Sequence, residues 1–97
     1  MALMQLTVVP MGDSVSVGDF VVDCQRQLAA AGVKFSLNDM GTTIEGEAGA
    51  LLALAAGIHQ MPFAKGAMRV LTQISIDDRR DKEVRLGDKV KSVQARL

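Results

Sequence analysis

The chain has 97 residues, 48% of them apolar, with 11 basic and 11 acidic side chains. This balance argues against electrostatic binding to nucleic acid or to an anionic membrane, because both need a basic excess. Aromatic residues make up 3% of the chain and Trp and Tyr are absent, so stacking platforms for single strands are missing too. We expect one domain, 1–97, with a small aliphatic core.

The cysteine content and the length of the apolar stretches indicate the cellular location of the chain. Cys24 is the single cysteine, so an intramolecular disulfide is excluded. The first residues carry neither a basic leader nor a small-residue cleavage site. The apolar stretch 48–58 is too short to cross a membrane and suits a core helix. We therefore expect a cytoplasmic protein with no membrane partner.

The chain begins with a predicted strand that is followed by a helix. Residues 3–10 are rich in Val, Leu and Thr, as strands are, and residues 11–14 form a turn. Ser16 is a helix N-cap with Asp19 three residues further on, and Gly32 is a C′ residue. Six residues between these caps recur at helical spacing and predict the apolar face: Val17, Phe20, Val21, Cys24, Leu28 and Ala31.

A hairpin and a second helix come next. Residues 33–39 and 42–47 predict two strands, and the Asn-Asp-Met-Gly sequence at 38–41 forms the turn between them. Residues 48–61 predict a helix, which Pro62 ends because proline lacks the backbone N–H and clashes with the preceding turn. The residues expected to face the core are Leu51, Leu52, Leu54, Ala55 and Ile58.

The remaining residues predict a fourth strand at 68–77, a charged turn at 77–82 and a short helix within 87–97. The order β-α-β-β-α-β is that of the ferredoxin-like fold. We predict an α+β sandwich in which two helices cover one face of a four-stranded antiparallel sheet, with a short C-terminal helix added. The other sheet face is left open, which favours self-association to a dimer or tetramer.

Two of the predicted strands carry polar groups on alternate positions. Thr43 and Glu45 share one face of the strand within 40–47, and Arg69 begins a similar row in the fourth strand. Such a face is typical of a shared interface or a small polar pocket. Glu45 is the most informative residue, since a carboxylate in mid-strand is costly to bury unless it is paired. Its partner is Arg69, a neighbouring subunit or an amine-bearing ligand.

No catalytic or metal-binding group is indicated by the sequence. Cys24 fits a small core residue, and His59, the single histidine, fits the boundary of the second helix. Neither has the neighbours that a nucleophile, a general base or a metal site needs. Arg79 and Arg80 lie in the charged turn, where they form solvated salt bridges or bind an anion or a neighbouring subunit. We expect no enzyme activity, no metal and no cofactor.

The blocks 40–46 and 69–82 resemble those of the small thiamine-binding protein family, and nearly the whole chain matches that family in element order and length. The resemblance implies a ferredoxin-like homodimer that pairs into a tetramer through its sheets. It implies binding of thiamine or of its hydroxymethylpyrimidine half, rather than catalysis. It also implies that Thr43, Glu45 and Arg69 line a pocket near a subunit interface.

Two functions of different classes fit these observations. The first is a cytoplasmic protein that binds thiamine, or a thiamine-like pyrimidine, between the subunits of a homo-oligomer. The alternative is a structural or regulatory homo-oligomer without a small ligand, in which the polar face specifies how the subunits pair. Calorimetry with thiamine and its two halves distinguishes them.

Overall fold

The chain folds as one four-stranded antiparallel sheet with three helices, in a computed structural model that describes residues 1–12 and 16–97. The elements are β1 (Ala2–Met11), α1 (Val17–Ala30), β2 (Lys34–Asn38), β3 (Gly41–Gly46), α2 (Ala48–Ala64), β4 (Arg69–Asp78) and α3 (Asp88–Gln94). The strand order is β2-β3-β1-β4. This confirms the predicted α+β, ferredoxin-like architecture. Among the described helices, none is long and apolar enough to cross a membrane.

The ends of α1 follow the capping signals in the sequence. Ser16 Oγ accepts from the backbone N–H of Asp19 at 3.3 Å, and Gly32 takes a left-handed φ of +73° after the C-cap. Of the predicted turn at 11–14, Met11 is the last residue of β1, and residues 13 and 14 lie outside the described residues. Val17 and Ala31, both expected in the core, are exposed because they lie at the two ends of the helix.

The second helix differs from its prediction at its end and on one flank. α2 runs through Pro62 to Ala64, three residues past the predicted end. Pro62 is buried in the last turn, where its missing N–H removes one helical hydrogen bond and its ring fills the core. Leu52 is 46% exposed, so its predicted core position is wrong. The buried face follows stricter helical spacing through Leu51, Ala55 and Ile58.

The core lies between the helices and one face of the sheet. Even-numbered residues of β1 and β3 face the helices, and odd-numbered residues face the open side, as the alternation of strands requires. The buried core cluster is Ala2, Met4, Leu6, Phe20, Cys24, Leu28, Ile44, Leu51, Ala55 and Ile58. These aliphatic and aromatic side chains fix α1 and α2 over the sheet.

Unequal strand lengths leave a notch in the sheet. β1 pairs with β4 from Ala2 to Met11, but it pairs with β3 from Ala2 to Leu6 and no further. Beyond Leu6, no described strand lies along the edge of β1 that faces β3, because the β2–β3 hairpin ends there at residues 38–41. The notch therefore opens between β1, the hairpin and α1.

Candidate functional site

A cavity of about 480 Å³ fills this notch beneath α1. Ligand-binding cavities are commonly of this size and mostly apolar, with a few polar groups that fix orientation. The apolar wall is formed by Leu6, Val8, Phe20, Val21, Leu37 and Met40. The cavity therefore has the volume and the lining of a small-molecule site.

Two polar side chains meet in this cavity. Gln25 Nε2 donates to Thr42 Oγ1 at 3.1 Å, and Thr42 is 5% exposed. Gln25 Oε1 is buried and has no hydrogen-bond partner among the described residues. A buried polar atom left unpaired costs about 1–3 kcal/mol. Gln25 Oε1 is therefore an acceptor that a ligand with an N–H donor would satisfy.

The cavity carries little charge. Asp39 is the one charged side chain among its described lining residues, and none of those residues is basic. Recognition of phosphate uses Arg or Lys side chains, or a run of backbone N–H groups. The lining is therefore better suited to a neutral or cationic ligand than to a phosphorylated one.

The hairpin wall of the cavity depends on a glycine. Gly41 has φ +154°, and a Cβ there would lie 2.7 Å from Thr7 Oγ1 and 2.9 Å from the carbonyl oxygen of Leu6. Thr7 Oγ1 donates to the carbonyl of Met40 at 3.0 Å, which holds the hairpin end against β1. Asn38 Oδ1 accepts from the Met40 N–H at 2.9 Å and closes the turn. These contacts fix one side of the notch.

Cys24 and His59 occupy the positions that the sequence predicts. Cys24 is buried beside the cavity, and burial raises the pKa of its thiol, so the reactive thiolate is disfavoured. His59 is half-buried, with Nδ1 2.6 Å from Thr72 Oγ1 and its ring edge-on to Phe63. Within the described residues, no group of three or more His, Cys, Asp or Glu side chains could hold a metal ion.

The residues predicted to bind a ligand lie on the open sheet face, away from the cavity. Thr43 is half-buried between Gln5 of β1 and Ser36 of β2. Glu45 lies opposite Leu3, whereas Arg69 lies opposite Met11 at the other end of the sheet. The positions of Glu45 and Arg69 are eight residues apart along β1, which is about 26 Å.

One chain therefore does not bring Thr43, Glu45 and Arg69 together. Their role as ligand residues at an interface stays a prediction.

Glu45 finds its partners in the segment before α3. It is 7% exposed, its Oε1 accepts from the backbone N–H of Leu86 at 2.9 Å, and its Oε2 lies 3.6 Å from the guanidinium of Arg85. Within one chain, Arg69 is therefore not the partner of Glu45, although it was one of the three partners considered, and Arg85 takes that place. Because the carboxylate is already paired, its burial has a structural explanation.

The family model described as "Thiamine-binding protein" matches residues 4–94. The chain belongs to the thiamine-binding protein family. It is 43% identical to the UPF0045 protein YqgV of Bacillus subtilis, over all of this chain and 98% of that relative.

Two solved structures have the same fold as this family member. MJ1052 of Methanocaldococcus jannaschii matches with a TM-score of 0.85 and 26% identity, over 96% of this chain and 95% of that one. TM0486 of Thermotoga maritima, named for thiamine biosynthesis or salvage, matches with a TM-score of 0.79 and 18% identity. The second match covers 95% of this chain and 97% of the other, and it supports the fold alone.

The two arginines of the charged turn pair with neighbouring carboxylates in this thiamine-binding family member. Arg79 Nε donates to Asp81 Oδ1 at 2.9 Å, and a guanidinium nitrogen of Arg80 donates to Asp78 at 3.1 Å. The hydrogen bonds from Arg79 lower the pKa of Asp81 to about 2. Local pairing is one of the two expected states of this turn. A role in binding an anion or another subunit stays a prediction.

Sequence reasoning missed Gln25, the most distinctive group of the cavity. Its neighbours on the helix surface, Val21 and Leu28, are apolar, so it lies at the margin of the α1 stripe. A signal was present in Thr42, which shares the helix-facing side of β3 with Ile44. A hydroxyl on a buried face needs a partner, and the helix above it offers one.

Proposed function

We propose that the chain binds thiamine, or its hydroxymethylpyrimidine half, in the cavity beneath α1. The observation that carries this proposal is the buried, unpaired Oε1 of Gln25 in a mostly apolar cavity. An aminopyrimidine has an exocyclic amine that donates and ring nitrogens that accept. Gln25 Oε1 can accept from the amine, while Thr42 Oγ1 accepts from Gln25 and keeps its hydrogen for a ring nitrogen.

The charge of the lining supports the unphosphorylated vitamin as the ligand. The thiazolium ring of thiamine is a cation, and Asp39 offers the one carboxylate among the described lining residues. Thiamine diphosphate would bring two phosphates to a lining whose described residues include no basic side chain. We therefore propose that the site selects thiamine over its diphosphate.

Calorimetry with four compounds tests this proposal. We expect heat of binding with thiamine and with hydroxymethylpyrimidine, weaker binding of thiamine diphosphate, and the weakest binding of the thiazole half. Because the pyrimidine is the part that Gln25 would recognise, its loss should cost more affinity than the loss of the thiazole. Binding of the thiazole half alone, or tightest binding of the diphosphate, would refute the assignment.

We also propose that the chain self-associates, which the alternative function, an oligomer without a ligand, requires. β4 is a ten-residue edge strand with no described strand on its outer side, and three of its aliphatic side chains are 37–47% exposed: Leu71, Ile74 and Ile76. Long exposed edges of this kind tend to pair with another chain. In an oligomer, Thr43, Glu45 and Arg69 from different subunits form the second candidate location for a ligand.

Light scattering at micromolar concentration tests the assembly. We expect the mass of a dimer or tetramer rather than that of the 10.3 kDa chain. An oligomer that gives no heat with any of the four compounds would favour the structural alternative. The absence of enzyme activity and the cytoplasmic location stay predictions from the sequence.

A further inference from the structure

The cavity beneath α1 has a buried end and an exposed end. At the buried end Gln25 donates to Thr42, which is 5% exposed. At the other end four lining residues are exposed to solvent, and they are called the cavity mouth below: Val17, Leu37, Asp39 and Met40. A ligand that fills the cavity therefore has one end at the hydrogen-bonded pair and the other end at the solvent.

The register of the β2–β3 hairpin gives the distance between these two ends. Thr42 lies one position before the Asn38–Gly41 pair, and Asp39 lies in the turn one position beyond that pair. Two strand positions therefore separate Thr42 from the level of Asp39, which is about 7 Å. The two rings of thiamine are joined by a single methylene group, so they span a distance of this order. A pyrimidine held at Thr42 places the thiazolium ring at the cavity mouth.

The Asp39 carboxylate is available to a ligand. It is exposed, and no residue in the described part of the chain forms a salt bridge or a hydrogen bond with it. Other exposed carboxylates are paired, as Asp23 is with Lys65 and Asp81 is with Arg79. A cation at the cavity mouth therefore meets a carboxylate that it does not have to take from another partner.

The same carboxylate disfavours a phosphorylated ligand. The hydroxyethyl arm of thiamine is attached on the side of the thiazolium ring away from the pyrimidine, so it ends at the solvent near Asp39. A phosphate on this arm carries about 1.5 to 2 negative charges at pH 7. The described residues of the cavity mouth include no basic side chain to pair with it. Like charges at short distance repel, which raises the free energy of the bound state.

We propose that Asp39 is the specificity-determining residue of the cavity, whose carboxylate pairs with the thiazolium cation and repels a phosphate on the hydroxyethyl arm. This inference rests on the proposed binding of thiamine beneath α1. It places the protein before a phosphoryl transfer in a reaction sequence. Transfer of a phosphoryl group from a nucleoside triphosphate to the alcohol oxygen displaces the alcohol proton to solvent, adds the repelled charge and favours release of the ligand.

Calorimetry with three compounds and two variants tests this role. Asp39→Asn removes the charge and keeps the size of the side chain, and asparagine is well tolerated in turns. Asp81→Asn is the matched control, because it removes the same charge from an exposed carboxylate outside the cavity. The compounds are thiamine, thiamine monophosphate and the uncharged hydroxymethylpyrimidine. Thermal melts check that both variants are folded.

Asp39→Asn should affect the three compounds differently. Thiamine should bind about three- to tenfold more weakly, because an exposed ion pair contributes modestly. The monophosphate should bind no more weakly than it does to the wild type, since the lost attraction is offset by the lost repulsion. The affinity for the pyrimidine should not change, and Asp81→Asn should leave all three affinities unchanged. In the wild type, about 1 M salt should narrow the preference for thiamine over its monophosphate, because salt screens exposed charges.

The outcomes separate this role of Asp39 from ligand binding itself. If Asp39→Asn binds thiamine and the monophosphate in the wild-type ratio, the role is overturned, even where both affinities fall together, because a structural defect lowers both. A wild-type chain that gives no heat with thiamine or the pyrimidine overturns the proposed function and this role with it. A narrowed ratio in Asp39→Asn alone, with unchanged affinity for the pyrimidine, supports the role.

Discussion

The cavity beneath α1 and the open sheet face both bury polar side chains, but they satisfy them differently. On the open face, Glu45 has the Leu86 N–H and Arg85 as partners. In the cavity, Gln25 Oε1 has none among the described residues. A buried charge is too costly to leave alone, whereas an unpaired amide oxygen costs about 1–3 kcal/mol and is tolerated. The charged residue, Glu45, is therefore already paired, and the neutral residue, Gln25, is the one left to bind a ligand.

The largest effect expected from this comparison is on ligand affinity at Gln25. Gln25→Leu keeps the volume but removes the acceptor, so thiamine binding should weaken by about ten- to a hundredfold, at 1.4 kcal/mol per decade. The melting temperature of the free protein should change little, because the lost hydrogen bond from Gln25 to Thr42 is offset by removal of the unpaired buried oxygen. Calorimetry and thermal melts measure both quantities.

Gln27→Leu is the matched control, because Gln27 is exposed on the same helix. Full affinity in Gln25→Leu, with loss of affinity in Thr43→Val, would move the site to the open face.

The next effect is on stability at the hairpin wall of the cavity. Gly41→Ala should destabilise the fold by about 1–2 kcal/mol, because its Cβ would meet the backbone oxygen of Leu6, which cannot move cheaply. Gly57→Ala, in the exposed middle of α2 with nothing within 4 Å, should stabilise by about 0.5–1 kcal/mol. Denaturant unfolding of the pair measures the difference. Equal stability of the two variants would show that the backbone around Gly41 can move to accommodate a Cβ atom.

A smaller effect is expected on the open face itself. Glu45→Gln keeps an acceptor for the Leu86 N–H but loses the charge that faces Arg85. The contact between residue 45 and the segment before α3 should therefore weaken by about 1 kcal/mol. Hydrogen exchange at the Leu86 amide should speed up, while thiamine affinity should stay as in the wild type. A tenfold or greater loss of affinity in a variant of normal mass and melting temperature would assign Glu45 to the ligand instead.

The smallest effect concerns acid and the charged turn. Hydrogen bonds from Arg79 hold the pKa of Asp81 at about 2, below its ordinary 3.8. Since the folded pKa is the lower one, the pairing stabilises the fold above the ordinary value and is lost as the pH falls towards 2. Both side chains are exposed, so Asp81→Asn should hardly change the melting temperature at neutral pH.

Carboxyl chemical shifts of Asp81 followed from pH 5 to pH 1.5 check this assignment. A midpoint near 3.8 would mean that Arg79 is not paired with Asp81 in solution, and would leave this arginine free for an anion or another subunit.

The features that the sequence predicted correctly are those that depend on residues close together along the chain. The Ser16 cap, the Gly32 terminus and the alternation of Thr43 and Glu45 with Ile44 are confirmed, because each depends on neighbours within a few residues. The candidate site depends on contacts between distant segments. Gln25 and Thr42 are 17 residues apart, and Glu45 and Leu86 are 41 apart. No spacing rule links such pairs, because the packing of whole elements brings them together.

A crystal structure of the chain grown with thiamine would locate the ligand site itself. We expect the pyrimidine ring in the cavity beneath α1, with its exocyclic amine about 3 Å from Gln25 Oε1. Thiamine bound on the open sheet face, beside Thr43 and the Arg69 of a neighbouring subunit with the cavity empty, would contradict it.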